Sequence, residues 1–396
     1  MRTGYAFLLS LPGLASLISG LSSSSVTSAQ AFVLQDVYVG DAFFKGFHWE
    51  TMNDPTHGRV NYVSQSAARQ ANLSYASNDK FVMRADDTTK VWKRARGRDS
   101  VRISSKQTYD DALFVLDLEH MPEGCATWPA FWTVTKKGPW PHGGEIDVIE
   151  GVNLDTHNLA SLHTLPGCTM AQHRPHTGTP TSLNCDTSQN YNQGCGVSFS
   201  STPSPSSSSY GKAFNAARGG WYVMSKSASK GVQVWFWARD DAGVPPEIKN
   251  GGGTKPNEGS GGEGGGGGER KKEVKPEAWW GTPAATFPVD ECDWKKHFDA
   301  HQVVFDLTFC GDWAGSVWSG SGCGAGTCED YVDNNPSAFK NAYWEINSLA
   351  VYTADADGGG AQVPMVAGLL QGKLQGKTKS KSKGTGGKSK KGGRGE

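Results

Sequence analysis

The chain has 396 residues, with 39 Lys and Arg balanced by 39 Asp and Glu, so its formal net charge is zero. That balance excludes a chain-wide electrostatic drive toward nucleic acid or an anionic membrane, and the length fits one large β-sandwich unit with low-complexity additions. The 51 glycines point to such additions, and the 14 tryptophans to large aromatic surfaces that pack in a core or stack on sugar rings.

Residues 1–31 read as an export signal. Arg2 supplies the positive end, Ala6 to Gly20 the apolar stretch, and Ala29-Gln30-Ala31 a small-x-small cleavage site before Phe32. Ser10, Pro12, Gly13 and Ser16 interrupt the apolar stretch, which counts against a membrane span. No later segment is long and apolar enough to cross a membrane. The expected localisation is extracellular.

The body expected over residues 32–360 is dense in short strand-like runs separated by Gly, Pro, Asn and Asp. The clearest are Phe81 to Arg84, Ser100 to Ile103, Leu113 to Leu118, Val232 to Trp237 and Val303 to Leu307. Several are apolar on both faces, as in two stacked sheets, and long amphipathic helical patterns are scarce. The pattern predicts an all-β sandwich. Asn72-Leu73-Ser74 is an N-glycosylation sequon, expected on the surface.

Eight cysteines in an exported chain predict disulfides. The short spacings Cys168/Cys185 or Cys185/Cys195, and Cys323/Cys328, are plausible loops, but sequence cannot choose among pairings. Zinc binding is the competing reading, and the spacings lack the two-residue step of zinc ribbons. Two low-complexity pieces stand apart. Residues 250–275 form a Gly-Ser-Glu-Lys run predicted to be a disordered insertion. Residues 361–396 form a disordered tail, strongly basic from Gln371 onward, which is either a solvated extension or a contact to an anionic cell wall. No apolar segment follows it, which argues against a lipid anchor.

The decisive stretch is Gly143-Gly144-Glu145-Ile146-Asp147-Val148-Ile149-Glu150-Gly151. Side chains alternate along a strand, so Glu145 and Asp147 share one face and Glu150 falls on the other. A one-residue bulge between Asp147 and Glu150 returns it to the acid face. Three acids in a row repel, and a fold tolerates them where the repulsion is used. Glycoside hydrolysis uses it: one carboxylate attacks the anomeric carbon, another carries a proton for the leaving oxygen, and a neighbouring charge keeps that proton in place. Glu145 is the candidate nucleophile, Glu150 the acid/base, and Asp147 the intermediary. No cofactor is needed, because carboxylates supply both protonation and covalent catalysis.

The same stretch resembles the Glu-x-Asp-x-x-Glu signature of glycoside hydrolase family 16, in its fungal laminarinase-type branch. Gly97 to Arg102, Trp128 to Trp132, Leu162 to Cys168 and Leu307 to Gly315 resemble that branch too, in order and spacing, from about Gly40 to Thr353. The resemblance implies a curved β-jelly-roll sandwich, concanavalin A-like, with an open substrate cleft. It implies an endo-1,3(4)-β-glucanase acting on β-glucan, with Trp132, Trp140 and Trp313 stacking glucosyl rings and His163 beside the acid strand. Each tryptophan could equally be core, and His163 could satisfy a buried hydrogen bond. Arg98 lines the cleft or pairs with a carboxylate. Some members of the wider family carry a calcium ion, but no local cluster singles out a metal site here. The chain is expected to act as a monomer. A transglycosylase would share the first half-reaction, while a non-catalytic glucan-binding lectin would lack one or more of the acids, all three of which are present.

Overall fold

The computed structural model describes residues 31–199, 209–250, 273–276 and 278–354. The expected export signal, apart from Ala31, and the basic tail lie outside the described residues. Two antiparallel sheets stack as a jelly-roll sandwich. The first runs in the order Glu273–Val274, Phe32–Tyr38, Tyr343–Ala354, Ala112–His120, Gly220–Ser227, Gly231–Ala238, Ala285–Phe287, with Phe81–Arg84 also paired to Tyr343–Ala354 and Ser74–Ala76 beyond it. The second runs Thr179–Ser182, Cys195–Ser198, Leu159–His163, Glu145–Glu150, Thr127–Thr135, His301–Phe309, Arg102–Ser105, Phe47–Trp49. Neither sheet closes on itself.

The core lies between the sheets. Phe114, Leu116, Tyr222, Met224, Val234 and Val351 from the first meet Phe131, Ile146, Val148, Leu162, Val303 and Phe305 from the second. Phe131 and Phe305, cross-strand partners, stack at 4.6 Å between centroids. Burying one such ring stabilises the fold by about 1.5–3 kcal/mol. Ala130, Trp132, Val134 and Val304 form a separate small cluster. They occupy alternate positions to Phe131 and Val303, so the second sheet carries an additional apolar strip on the face turned away from the core.

Three expectations are corrected. The run Ser100 to Ile103 is not one strand: Arg98–Ser100 pairs in parallel with Val60–Tyr62, and Arg102–Ser105 joins the second sheet. Periodicity cannot reveal that Val101, fully buried, sits at the break. The insertion is narrower at its far end, where Glu273 and Val274 pair with Val33 and Phe32; residues 251–272 lie outside the described residues. Cys323 and Cys328 do not pair with each other. The disulfides are Cys125–Cys323, Cys168–Cys292, Cys185–Cys195 and Cys310–Cys328, because contacts in the fold bring distant loops together. Of the short spacings, Cys185/Cys195 is the one formed. Asn72 is exposed at a turn, accessible for modification.

Candidate active site

The acid strand begins at a glycine turn. Gly144 has φ +77°, and a Cβ there would lie 2.5 Å from the Phe298 ring, so glycine is required. Buried His301 holds the turn from the next strand but one. Its Nε2 donates to the Gly143 carbonyl at 2.7 Å and its Nδ1 accepts from the Thr133 hydroxyl at 3.0 Å. Burial, aided by the Lys226 charge, depresses its pKa to about 3. The ring is therefore neutral, as this pattern needs.

The predicted bulge is present. Glu145 lies opposite Val134 and His163, Asp147 opposite Trp132 and Ser161, and Glu150 opposite Ala130 and Leu159. The register slips by one residue after Asp147 against both neighbouring strands. All three acids thereby face the same side as Trp132. A buried side chain absorbs the backbone groups that the slip removes from the ladder: Asn158 Oδ1 accepts from the Glu150 amide at 3.0 Å, and its Nδ2 donates to the Val148 carbonyl at 2.7 Å.

An indole holds each outer acid. Trp140 Nε1 donates to Glu145 Oε2 at 2.9 Å, and Trp128 Nε1 to Glu150 Oε1 at 2.9 Å. Asp147 Oδ2 accepts from the Ser161 hydroxyl at 2.9 Å and faces His163 Nε2 at 3.3 Å. Burial, followed by the Asp147 charge, pushes both Glu145 and Glu150 up to about 8. Burial would lower the His163 pKa, but hydrogen bonding and attraction to Asp147 outweigh it and lift it to about 10. An imidazolium thus sits beside the central acid. Two proton-holding carboxyls and a cation thus lie together, and once one carboxyl releases its proton the set can carry out acid-assisted displacement at an anomeric carbon.

The expected aromatic residues divide. Trp140, at the Glu145 end, is 46% exposed, free to offer its ring. Trp313, at the Glu150 end, meets Trp128 edge-on at 5.8 Å and lines a pocket of about 410 Å³ with Leu154 and Val317. Trp132 is 9% exposed, its indole N–H on Asp306 at 3.2 Å and the Arg102 guanidinium 4.9 Å from its centroid. It is on the acid face, yet packed. Arg98 is a correction: it does not line the cleft. Fully buried, it donates to the carbonyls of Asp86, Thr89 and Val332 and lies 4.5 Å over the Phe339 ring, tying loops together far along the chain from the acids. Sequence reasoning missed Trp128, Asn158, Ser161 and Arg102. Trp128 was within reach, since residues 128 and 132 share a face of any regular strand. Among the described residues, Glu145, Asp147 and His163 form the single group with metal-like spacing, within 4.8 Å of one another, but an imidazolium has no lone pair to give a metal.

A jelly roll whose open face presents paired carboxylates, each held by an indole, is the architecture of a carbohydrate-cleaving enzyme. Residues 47–352 match the family model described as "XgeA-like, catalytic GH16 domain". The chain is 46% identical to laminarinase 16A of Phanerochaete chrysosporium, whose structure holds two β-glucans in donor and acceptor sites; the match has a TM-score of 0.73 and covers 82% of this chain and 100% of that one. A GH family 16 β-1,3-glucosyltransferase described as elongating matches at 34% identity and TM-score 0.69, over 81% of this chain and 100% of that one. An endo-1,3(4)-β-glucanase of Arthroderma benhamiae is 35% identical over 339 residues, covering 84% of this chain and 67% of the relative. The chain belongs to glycoside hydrolase family 16.

Proposed function

We propose that the protein is a secreted, endo-acting, retaining hydrolase of β-1,3 and mixed β-1,3(4)-glucans. The observation that carries the reading is the bulged strand, which sets Glu145 and Glu150 on one face with Asp147 between them. In this reading Glu145 attacks the anomeric carbon while Glu150 gives its proton to the leaving oxygen. A covalent glycosyl-enzyme forms, and Glu150 then takes a proton from the water that releases it. Asp147, paired with His163, lies between the two glutamates, and its charge adds to burial in favouring a proton on each of them. Trp140 and Trp313 offer ring faces on either side of the bond to be cut, and Trp132 closes the floor.

The same reading makes residues 1–31 an export signal, 32–360 the catalytic body and 361–396 a basic tail able to contact an anionic wall. Four disulfides suit an oxidising compartment. The test is reducing-sugar release from laminarin and barley mixed-linkage glucan by wild type and Glu145→Ser. Wild-type activity that falls by several orders of magnitude in the variant supports the assignment; a folded wild type without activity on either glucan overturns it. The elongating glucosyltransferase among the structural relatives favours transfer as a second reading. Products longer than the starting glucan, formed when an oligosaccharide acceptor is added, would identify it.

A further inference from the structure

The segment between Cys185 and Cys195 is closed by its own disulfide and anchored to the strand that carries His163. The Thr164 amide donates to the Cys185 carbonyl at 2.8 Å, and Cys195 pairs with Leu162. Within it Asn190, Tyr191, Asn192 and Gly194 all have positive φ, between 49° and 65°. Asparagine and glycine tolerate that region, and tyrosine seldom does. Such a run persists where the surroundings impose it, and it concentrates at functional sites. The loop seats Asn192 Oδ1 at 3.1 Å from His163 Nδ1. It also lays Gly194 against the ring, where a Cβ would be 2.9 Å from Cε1 and 3.0 Å from Nδ1.

Both imidazole nitrogens therefore face acceptors. Nε2 faces the Asp147 carboxylate and, at 3.5 Å, the Ser161 oxygen, whose own proton goes to Asp147. Nδ1 faces the Asn192 amide oxygen. A neutral imidazole would leave one nitrogen lone pair against an oxygen lone pair; only the doubly protonated ring satisfies both. The charged groups facing the ring are Glu145, Asp147 and Glu150, all from the acid strand. The loop itself brings Asp186, whose carboxylate is engaged by the Ser188 amide at 2.9 Å.

We propose that Asn192 is a positioning residue: held by the Cys185–Cys195 loop, its amide oxygen keeps His163 doubly protonated, so that a fixed cation stays beside Asp147 throughout the reaction. The inference rests on the catalytic reading above, since it supplies what keeps a positive partner on Asp147 between two proton-exchanging glutamates. The loop's backbone follows from the same role, because the acceptor must be delivered from a strand edge over a short distance.

The test joins imidazole nitrogen NMR of the full chain, with His163 assigned from a His163→Gln variant, to kinetics on laminarin and thermal melting. In wild type His163 should be doubly protonated at neutral pH and titrate near 10. Asn192→Ala should titrate at lower pH and lose about 10- to 100-fold in kcat, the range for removing a hydrogen bond to a charged group, with KM little changed. Asn192→Asp, which keeps the acceptor, should leave His163 charged and recover most of kcat. A singly protonated wild-type His163 overturns the proposal, as does an Asn192→Ala variant that melts lower without moving the titration. Should Asn192→Ala not fold, the wild-type spectrum still decides. Wild type inactive on laminarin, with a charged His163 that depends on Asn192, would sink the substrate reading and leave this one standing.

Discussion

Glu150 shows how burial converts a carboxyl group into a proton store. Its pKa rises from 4.5 to about 8, through burial first and the Asp147 charge second, so the folded chain holds this proton more tightly than the unfolded chain. The sign for stability follows by linkage: below pH 4.5 both states are protonated and nothing is lost, while between 4.5 and about 8 only the unfolded state releases the proton, and stability falls. Glu150→Gln, which removes the ionisation, should melt at the same temperature as wild type at pH 4 and above it at pH 8, as read by calorimetry. A melting difference independent of pH would show that burial does not raise this group. Activity needs the proton kept on Glu150 and released from Glu145, and both groups are raised to about 8, so kcat/KM should fall on either side of about pH 8. At this scale the shared face of the three acids was legible from residue type and spacing, whereas the tryptophans entered only through the family resemblance. Arg98 was not, because a guanidinium reads the same whether it meets a substrate or three backbone carbonyls.

The strand Glu145–Glu150 works only as a bulged strand. Its irregularity was legible, since two acids at a spacing of two and a third at a spacing of three cannot otherwise share a face. What stabilises it was not, because Asn158 lies in the loop beyond the strand and nothing in its neighbours marks it. The Asn158 backbone N–H in turn donates to the Ser209 hydroxyl oxygen at 2.9 Å. Replacing Asn158 by Ala strands the Glu150 N–H and the Val148 carbonyl, each at a cost of about 1–3 kcal/mol. Asn158→Ala should therefore melt lower and lose kcat by at least about tenfold with KM nearly constant, because the displaced group is the acid rather than a binding surface. An equal loss in KM would argue that the loop contacts substrate directly. The broken run at Val101 teaches the converse: alternation identifies strand-like residues, and pairing partners far along the chain decide where one strand stops and the next begins.

Across the whole molecule, the four disulfides join positions from 10 to 198 residues apart, and the longer spans bear on stability. Cys168–Cys292 joins positions 124 residues apart, both buried, and constrains the unfolded chain strongly. Replacing both with Ser should lower the unfolding free energy by about 5 kcal/mol on the chain-entropy account, measured by urea titration, while activity at low temperature persists. The all-β class, the aromatic wealth and the presence of disulfides were readable from composition. The partners of Cys125, Cys310, Cys323 and Cys328 were not, since they depend on how separate loops meet over the sandwich. The arrangement of the first sheet carries one more consequence. Phe32–Tyr38, the earliest strand described, pairs along its length with Tyr343–Ala354, the latest. During synthesis the first strand thus waits unpaired along that edge until residues 343–354 have left the ribosome, so this edge of the sheet is sealed only after the rest of the body has been made.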